Sequence, residues 1–195
     1  MKAYLAGSIF FVGDEYRNTA WAKLLRETFP QMDLYNPLEA DFNGVEGKKR
    51  FGDSQIIVEG DNKRLDETDV LIACIDGDTP PIGTSCEIGR VSGLISGGAH
   101  KYIVGICTDN RQCYLTHSEE KDKGGASALG EQQYSYQNLY LTGIIKKYGV
   151  LTFFEEDNKN LSLFQNPTYG IEFFKKLFLK MKLLAEEKIR VRSEK

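Results

Sequence analysis

Glu87 is the residue with the clearest chemical potential in this chain. It stands in the stretch Pro80-Pro81-Ile82-Gly83-Thr84-Ser85-Cys86-Glu87-Ile88-Gly89-Arg90, directly after the apolar run Asp69 to Ile75. That run reads as a buried strand. Gly83 and Thr84 read as the turn and cap that start a helix, which puts Glu87 in its first turn. Segments at the carboxyl end of a parallel strand are where α/β folds bind ligands. An acid there has its charge favoured by the helix dipole, so it is expected to stay ionised and act as a nucleophile or base. Asp61 supplies a second carboxylate ahead of the same strand, and Tyr4 a hydroxyl near the end of the first strand. Two carboxylates, a tyrosine and Gly-rich turns suit a sugar substrate. One carboxylate attacks an anomeric carbon, and the second binds hydroxyls or handles a proton. The tyrosine orients the nucleophile by a hydrogen bond. The plainer account makes Glu87 and Asp61 solvated helix residues and Tyr4 a core aromatic.

The elements that must position these residues follow from periodicity. Lys2 to Ala6 is a strand ending in Gly7-Ser8. Asp14 to Phe29 is a helix with Ala20, Trp21, Leu24, Leu25 and Phe29 on one face, stopped by Pro30. Met32 to Tyr35 is a second strand closed by Asn36-Pro37, and Leu38 to Gly52 is a long polar loop. Asp53 to Thr68 is a helix that carries Asp61, followed by the apolar central strand and the helix Thr84 to Gly98. Lys101 to Cys107 is a strand, Thr108 to Gln137 an irregular excursion, Asn138 to Lys147 a short helix and Val150 to Phe154 a fifth strand. Tyr169 to Glu187 is a long helix whose stripe Phe173, Phe174, Leu177, Phe178, Met181 and Leu184 reads as core or oligomer contact. The charged segment from Lys188 to Lys195 is expected to fray. The sum is a single α/β domain: a three-layer α/β/α sandwich around a doubly wound, five-stranded, mainly parallel sheet in the order 2-1-3-4-5.

Composition narrows the function. A chain of 195 residues with 41% hydrophobic and 27% charged residues is an ordinary globular domain. The net charge of −3, with no strongly basic segment except the last few residues, argues against nucleic-acid binding. No apolar run approaches membrane-spanning length, no leader pattern precedes the first strand, and a cytoplasmic location is expected. Cys74, Cys86, Cys107 and Cys113 form no C-x-x-C pair, which fits reduced thiols. Cys113 and His117 are two potential ligands, too few for a metal site, so no metal or cofactor is expected. There is no G-x-G-x-x-G after the first strand and no P-loop. Gly125-Ala126-Ser127-Ala128-Leu129-Gly130 misses the nucleophile-elbow spacing by one residue, and two histidines leave a Ser-His-Asp triad improbable. Carboxylate chemistry remains.

On these residues the chain resembles the nucleoside 2-deoxyribosyltransferases and their relatives, the deoxynucleotide N-glycosidases. Tyr4-Leu5-Ala6-Gly7-Ser8-Ile9-Phe10 resembles the family's opening Y-x-A-G-P-x-F, Asp61 its aspartate ahead of the central strand, and Gly83-Thr84-Ser85-Cys86-Glu87-Ile88-Gly89 its G-T-x-x-E-x-G. The resemblance implies that Glu87 attacks C1′ of a 2′-deoxynucleoside, that Tyr4 orients Glu87, and that Asp61 binds the sugar end or assists proton handling. Gly7, Ser8, Phe10, Asp78, Gly83 and Thr84 are the implied substrate-binding residues. A nucleoside and a free nucleobase are the implied partners, in a homo-oligomer whose neighbouring subunit completes each site.

Two positions depart from the family pattern. Pro81 stands where transferases carry a base-contacting aspartate, with Asp78 the nearest replacement and Asp76 behind it. The neighbour's 5′-hydroxyl-binding asparagine falls near Gly149, with Asn138 or Tyr148 as substitutes. Transfer of deoxyribose between bases is therefore weighed against hydrolysis of a nucleoside or nucleoside 5′-monophosphate, with Arg17, Arg90 or Ser8 available to a phosphate. A non-catalytic nucleotide sensor is the third reading, and it would not need Tyr4, Asp61 and Glu87 together.

Overall fold

The computed structural model describes residues 1–40, 53–77, 81–108 and 138–153, with 172 and 174–179. Five strands, β1 (Lys2–Ala6), β2 (Asp33–Tyr35), β3 (Val70–Cys74), β4 (Tyr102–Cys107) and β5 (Gly149–Phe153), form one sheet. Its order is β2-β1-β3-β4-β5 and every pairing is parallel. The expected order holds, and the sheet is wholly rather than mainly parallel. β3 is buried along its full length, as a central strand covered on both faces must be.

Alternation along the strands sorts side chains into two cores. Leu5, Ile72 and Val104 face one side, where Trp21 and Leu25 of α1 (Val12–Thr28) pack with Phe174 and Leu177. Trp21 meets Phe174 edge-on at 6.0 Å. That part of the C-terminal stripe is therefore core; Phe173, Met181 and Leu184 lie outside the described residues. Tyr4, Leu71 and Ile103 face the other side, against Leu65 of α2 (Ser54–Glu67), Ile88 and Val91 of α3 (Ile82–Ser96) and Ile145 of α4 (Leu139–Tyr148). This second face carries the candidate chemistry.

α2 is fixed at both ends. Asp53 caps its start by accepting from Gln55 N at 3.0 Å and Ile56 N at 3.3 Å, a contribution of about 1 kcal/mol. At its other end the Lys101 ammonium donates to the carbonyls of Leu65, Asp66 and Thr68 at 3.3, 2.7 and 2.5 Å. These are the orphan acceptors of a helix C-terminus, and a cation also suits the negative end of its dipole. Arg90 of α3 grips Asp66 of α2 through contacts of 2.8–3.0 Å, so the two helices that carry the carboxylates are cross-linked to each other.

One boundary corrects the sequence-based expectation. α3 begins at Ile82, with Pro81 at the cap position, not at Gly83-Thr84. Its first turn closes through Ser85 N donating to Pro81 O at 2.9 Å. A proline with its fixed φ is pre-organised for a helix entrance. Gly83 and Thr84 are therefore helical, and Glu87 lies in the second turn. α1 also starts earlier than expected, at Val12. Among the described residues no helix is long and apolar enough to cross a membrane.

Candidate functional site

The register places two tyrosines side by side. Tyr4 pairs with Tyr35 across β1–β2, so both side chains leave the same face of the sheet. Their ring centroids are 5.0 Å apart at 48°. Each hydroxyl reaches a different carboxylate. Tyr4 donates to Glu87 Oε1 at 2.5 Å, and Tyr35 donates to Asp61 Oδ1 at 3.2 Å. Tyr4 is fully buried, and Glu87 and Asp61 are half-buried. Tyr4 is thus both the core aromatic and the hydrogen-bonding residue of the two accounts drawn from sequence.

Burial dominates the electrostatics. It pushes the Glu87 carboxyl up to about 7, with the Tyr4 hydroxyl pulling the other way and the Asp61 charge adding a smaller push. Burial therefore opposes the ionised form of Glu87, and the helix dipole offsets it little, because the dipole acts within the first turn and Glu87 lies beyond it. Burial likewise raises Asp61, opposed by the hydroxyls of Tyr35 and Tyr4. Both tyrosines are held above the usual phenol range, by burial first and then by the carboxylate beside each. They stay protonated and donate. An acid poised near neutrality beside a second carboxylate is the arrangement in which one group can hold a proton while the other is charged.

The turn after β1 is anchored to α1. The Ser8 carbonyl accepts from Arg17 Nη2 at 3.0 Å and Asn18 Nδ2 at 2.9 Å. A Cβ on Gly7 would come within 3.2 Å of Asn18 Oδ1 and 3.4 Å of Cys74 Cβ, so only glycine fits this close approach without a shift. Phe10 follows, 77% exposed. On α3, Gly83 faces open space and Thr84 is buried. Asp78 lies outside the described residues. Asp76 is committed elsewhere: it accepts from Thr108 N at 2.5 Å, from the Thr108 hydroxyl, and from Cys74 Sγ at 3.2 Å. It ties the ends of β3 and β4 together.

Other candidates are also placed. Arg90 is held by Asp66. Arg17 is held by Asp14 at 2.9 Å and by Ser8 O. Tyr148 shares a 2.6 Å hydrogen bond with Ser96, both at C-terminal helix ends and so at the opposite edge of the sheet from Glu87. Asn138 caps α4, accepting from Tyr140 N and Leu141 N. A Cβ on Gly149 would overlap the Ile103 carbonyl, so no asparagine fits there. No cluster of His, Cys, Asp or Glu suited to a metal occurs among the described residues; Cys113 and His117 lie outside them.

Tyr35 is the site residue that sequence reasoning did not single out. Its signal was its place at the end of a strand that must pair with β1. It also lines a cavity of about 510 Å³ between β2 and α2, with Asn36, Gly60, Lys63 and Arg64. The Arg64 guanidinium lies over its ring, 5.1 Å from the centroid.

A sequence profile described as nucleoside 2-deoxyribosyltransferase matches residues 3–161. The chain belongs to that family. Tyr4, Tyr35, Asp61 and Glu87 all fall inside the span that matches the nucleoside 2-deoxyribosyltransferase profile, while the helical residues 174–179 lie beyond it. At the family level the protein has a nucleoside deoxyribosyltransferase-like function. Among solved structures, a conserved protein from Enterococcus faecalis V583 is 29% identical. That match covers 80% of this chain and 93% of the other, with a TM-score of 0.62. The FerB flavoenzyme NAD(P)H:(acceptor) oxidoreductase from Paracoccus denitrificans, 12% identical over 95% of this chain and 94% of its own, reaches a TM-score of only 0.45 and carries no weight. No match was found among curated proteins.

Proposed function

We propose that this protein transfers a 2-deoxyribosyl group between nucleobases through a covalent intermediate on Glu87. The observation that carries the proposal is the 2.5 Å hydrogen bond from buried Tyr4 to Glu87, beside a second tyrosine–carboxylate pair. Tyr4 fixes Oε1 and leaves the other oxygen of the carboxylate for attack.

In the first displacement a Glu87 oxygen bonds to C1′ as the C1′–N bond breaks. The bonding pair leaves with the base, which takes up a proton. Asp61, whose proton affinity burial has raised, is proposed to handle that proton or the sugar hydroxyls. In the second displacement a nitrogen of the incoming base attacks C1′ and loses a proton, and the C1′–O bond returns its electron pair to Glu87. Two inversions give net retention. Gly7, Ser8, Phe10, Gly83, Thr84 and Asp78 are proposed to line the substrate pocket. Phe10, Phe11, Val12 and Tyr16 are each at least 67% exposed around the β1–α1 turn. That apolar surface supports a homo-oligomer in which a second copy covers the site.

Hydrolysis is the second reading, favoured by one observation: Pro81, at the cap of α3, offers no carboxylate to hold an acceptor base. A 5′-monophosphate substrate is less well supported, because Arg17 and Arg90 are already paired. Incubation with 2′-deoxyadenosine or thymidine, with and without a second free base, separates the readings by chromatography. A new nucleoside only when base is added supports transfer. Free deoxyribose without added base supports hydrolysis. Ligand binding without turnover leaves only a sensor and refutes both.

A further inference from the structure

We propose that Tyr35 is the positioning residue of Asp61, holding Oδ1 so that the carboxylate presents one fixed edge to the bound sugar or departing base. The inference rests on the proposed reading of Asp61 as a working carboxylate. The geometry shows two tyrosine–carboxylate pairs built in parallel. Tyr4 and Tyr35 are register partners on adjacent strands; the Tyr4 hydroxyl donates to Glu87 and the Tyr35 hydroxyl to Asp61, with Tyr4 a weaker second influence on Asp61.

Tyr35 has little freedom to do otherwise. Its ring is bounded by the Tyr4 ring at 5.0 Å and by the Arg64 guanidinium at 5.1 Å. Arg64 sits one turn after Asp61 on α2, so it and Asp61 project from one side of that helix. The backbone beyond Tyr35 is fixed as well: Asn36 is buried and accepts from Leu38 N at 3.2 Å, and Pro37 follows in a 3-10 turn. A ring with two such neighbours and a fixed root delivers its hydroxyl to one place.

Two nearby acids need such separate donors. Without them, like charges leave one proton shared between interchangeable groups. The groups that face Asp61 are Tyr35 from β2, Tyr4 from β1 and Glu87 from α3, with Arg64 behind Tyr35 on α2 itself. Burial raises Asp61, and the Tyr35 hydroxyl is the largest influence opposing it. Removing that hydroxyl therefore raises Asp61 further and frees its carboxylate to rotate.

The test is Tyr35→Phe, which keeps the ring and its contacts with Tyr4 and Arg64. The Asp61 carboxyl, followed by carbon NMR in the full chain without substrate, is expected to titrate about one pH unit higher. Deoxyribosyl transfer is expected to fall about tenfold in kcat with little change in KM, and the loss is expected to vanish in an Asp61→Ala background. Incorporation of 3-fluorotyrosine at position 35, a stronger donor in the same frame, is expected to move Asp61 downward. An unmoved Asp61 titration in both variants, or a tenfold loss that persists in Asp61→Ala, overturns the proposal. Should the unaltered protein neither transfer nor hydrolyse, the proposed function fails, and the Asp61 titration alone still decides the role of Tyr35.

Discussion

Replacing Tyr4 by Phe removes one oxygen from a fully buried ring and strips Glu87 of its 2.5 Å donor. The direction of the effect follows from charge. The hydroxyl stabilises ionised Glu87, whose carboxyl burial has already pushed up to about 7. A hydrogen bond to a charged group is worth about 1.5–3 kcal/mol, and one pH unit corresponds to about 1.4 kcal/mol. Tyr4→Phe should therefore lift Glu87 by about one to two units. At pH 7 the ionised fraction then drops from about a half to between about a tenth and a hundredth. Loss of nucleophile alone lowers kcat/KM by roughly 5- to 50-fold, and raising the pH to 9 recovers all but about twofold of it. The assay is kcat/KM for base exchange from pH 5 to 9.5 in both proteins. The acid limb should lie near 7 in the unaltered enzyme and move upward in Tyr4→Phe. A loss of equal size at every pH, or an acid limb that stays put, would refute the claim that Tyr4 acts by stabilising the charge on Glu87.

Three further outcomes follow from the structure. Glu87→Gln should abolish turnover yet raise stability above pH 7, by up to about 3 kcal/mol and less where water reaches the half-buried group. The folded-state carboxyl is raised from 4.5, so its ionisation penalises the fold as pH climbs from about 4.5 through 7; the gain should vanish below pH 4.5, as read by denaturant melts across pH. Lys101→Met leaves three carbonyls at the end of α2 without their cation, and should cost about 2 kcal/mol, a fall in Tm of about 4–8 °C, with full transfer activity below the melt. Gly149→Ala places a methyl group into the Ile103 backbone carbonyl and should cost more than about 3 kcal/mol, detected by loss of the folded baseline in circular dichroism.

The fold was legible because its strands are short apolar runs separated by amphipathic helices, a pattern with few topological solutions. Burial on both faces of β3 left an unbroken apolar sequence, and that alone located the centre of the sheet. The helix starts were harder to locate. Gly83-Thr84 looked like a turn and cap, yet Pro81 already stands at the cap position and the helix starts at Ile82. That shift of two residues in the helix start moved Glu87 from the first turn, where the dipole favours a charge, to the second, where burial opposes it. Tyr4, Asp61 and Glu87 could be gathered from motif spacing. Tyr35 could not, because its partnership with Tyr4 exists only in the β1–β2 register and its partnership with Asp61 only once α2 packs on that face. Asp76 illustrates the reverse case: its type and place suited a base contact, but Thr108, just past the end of β4, engages both of its oxygens.

The central claim is a covalent bond between Glu87 and C1′. The most direct measurement is to mix the protein with a 2′-deoxynucleoside in the absence of acceptor base, quench in acid and map the adduct by peptide mass spectrometry. The account predicts a deoxyribosyl group on the peptide that contains Glu87, fragmenting to Glu87 itself, discharged by added base and absent from Glu87→Ala. An adduct on another residue, or Glu87→Ala that still exchanges bases at the unaltered rate, would contradict it.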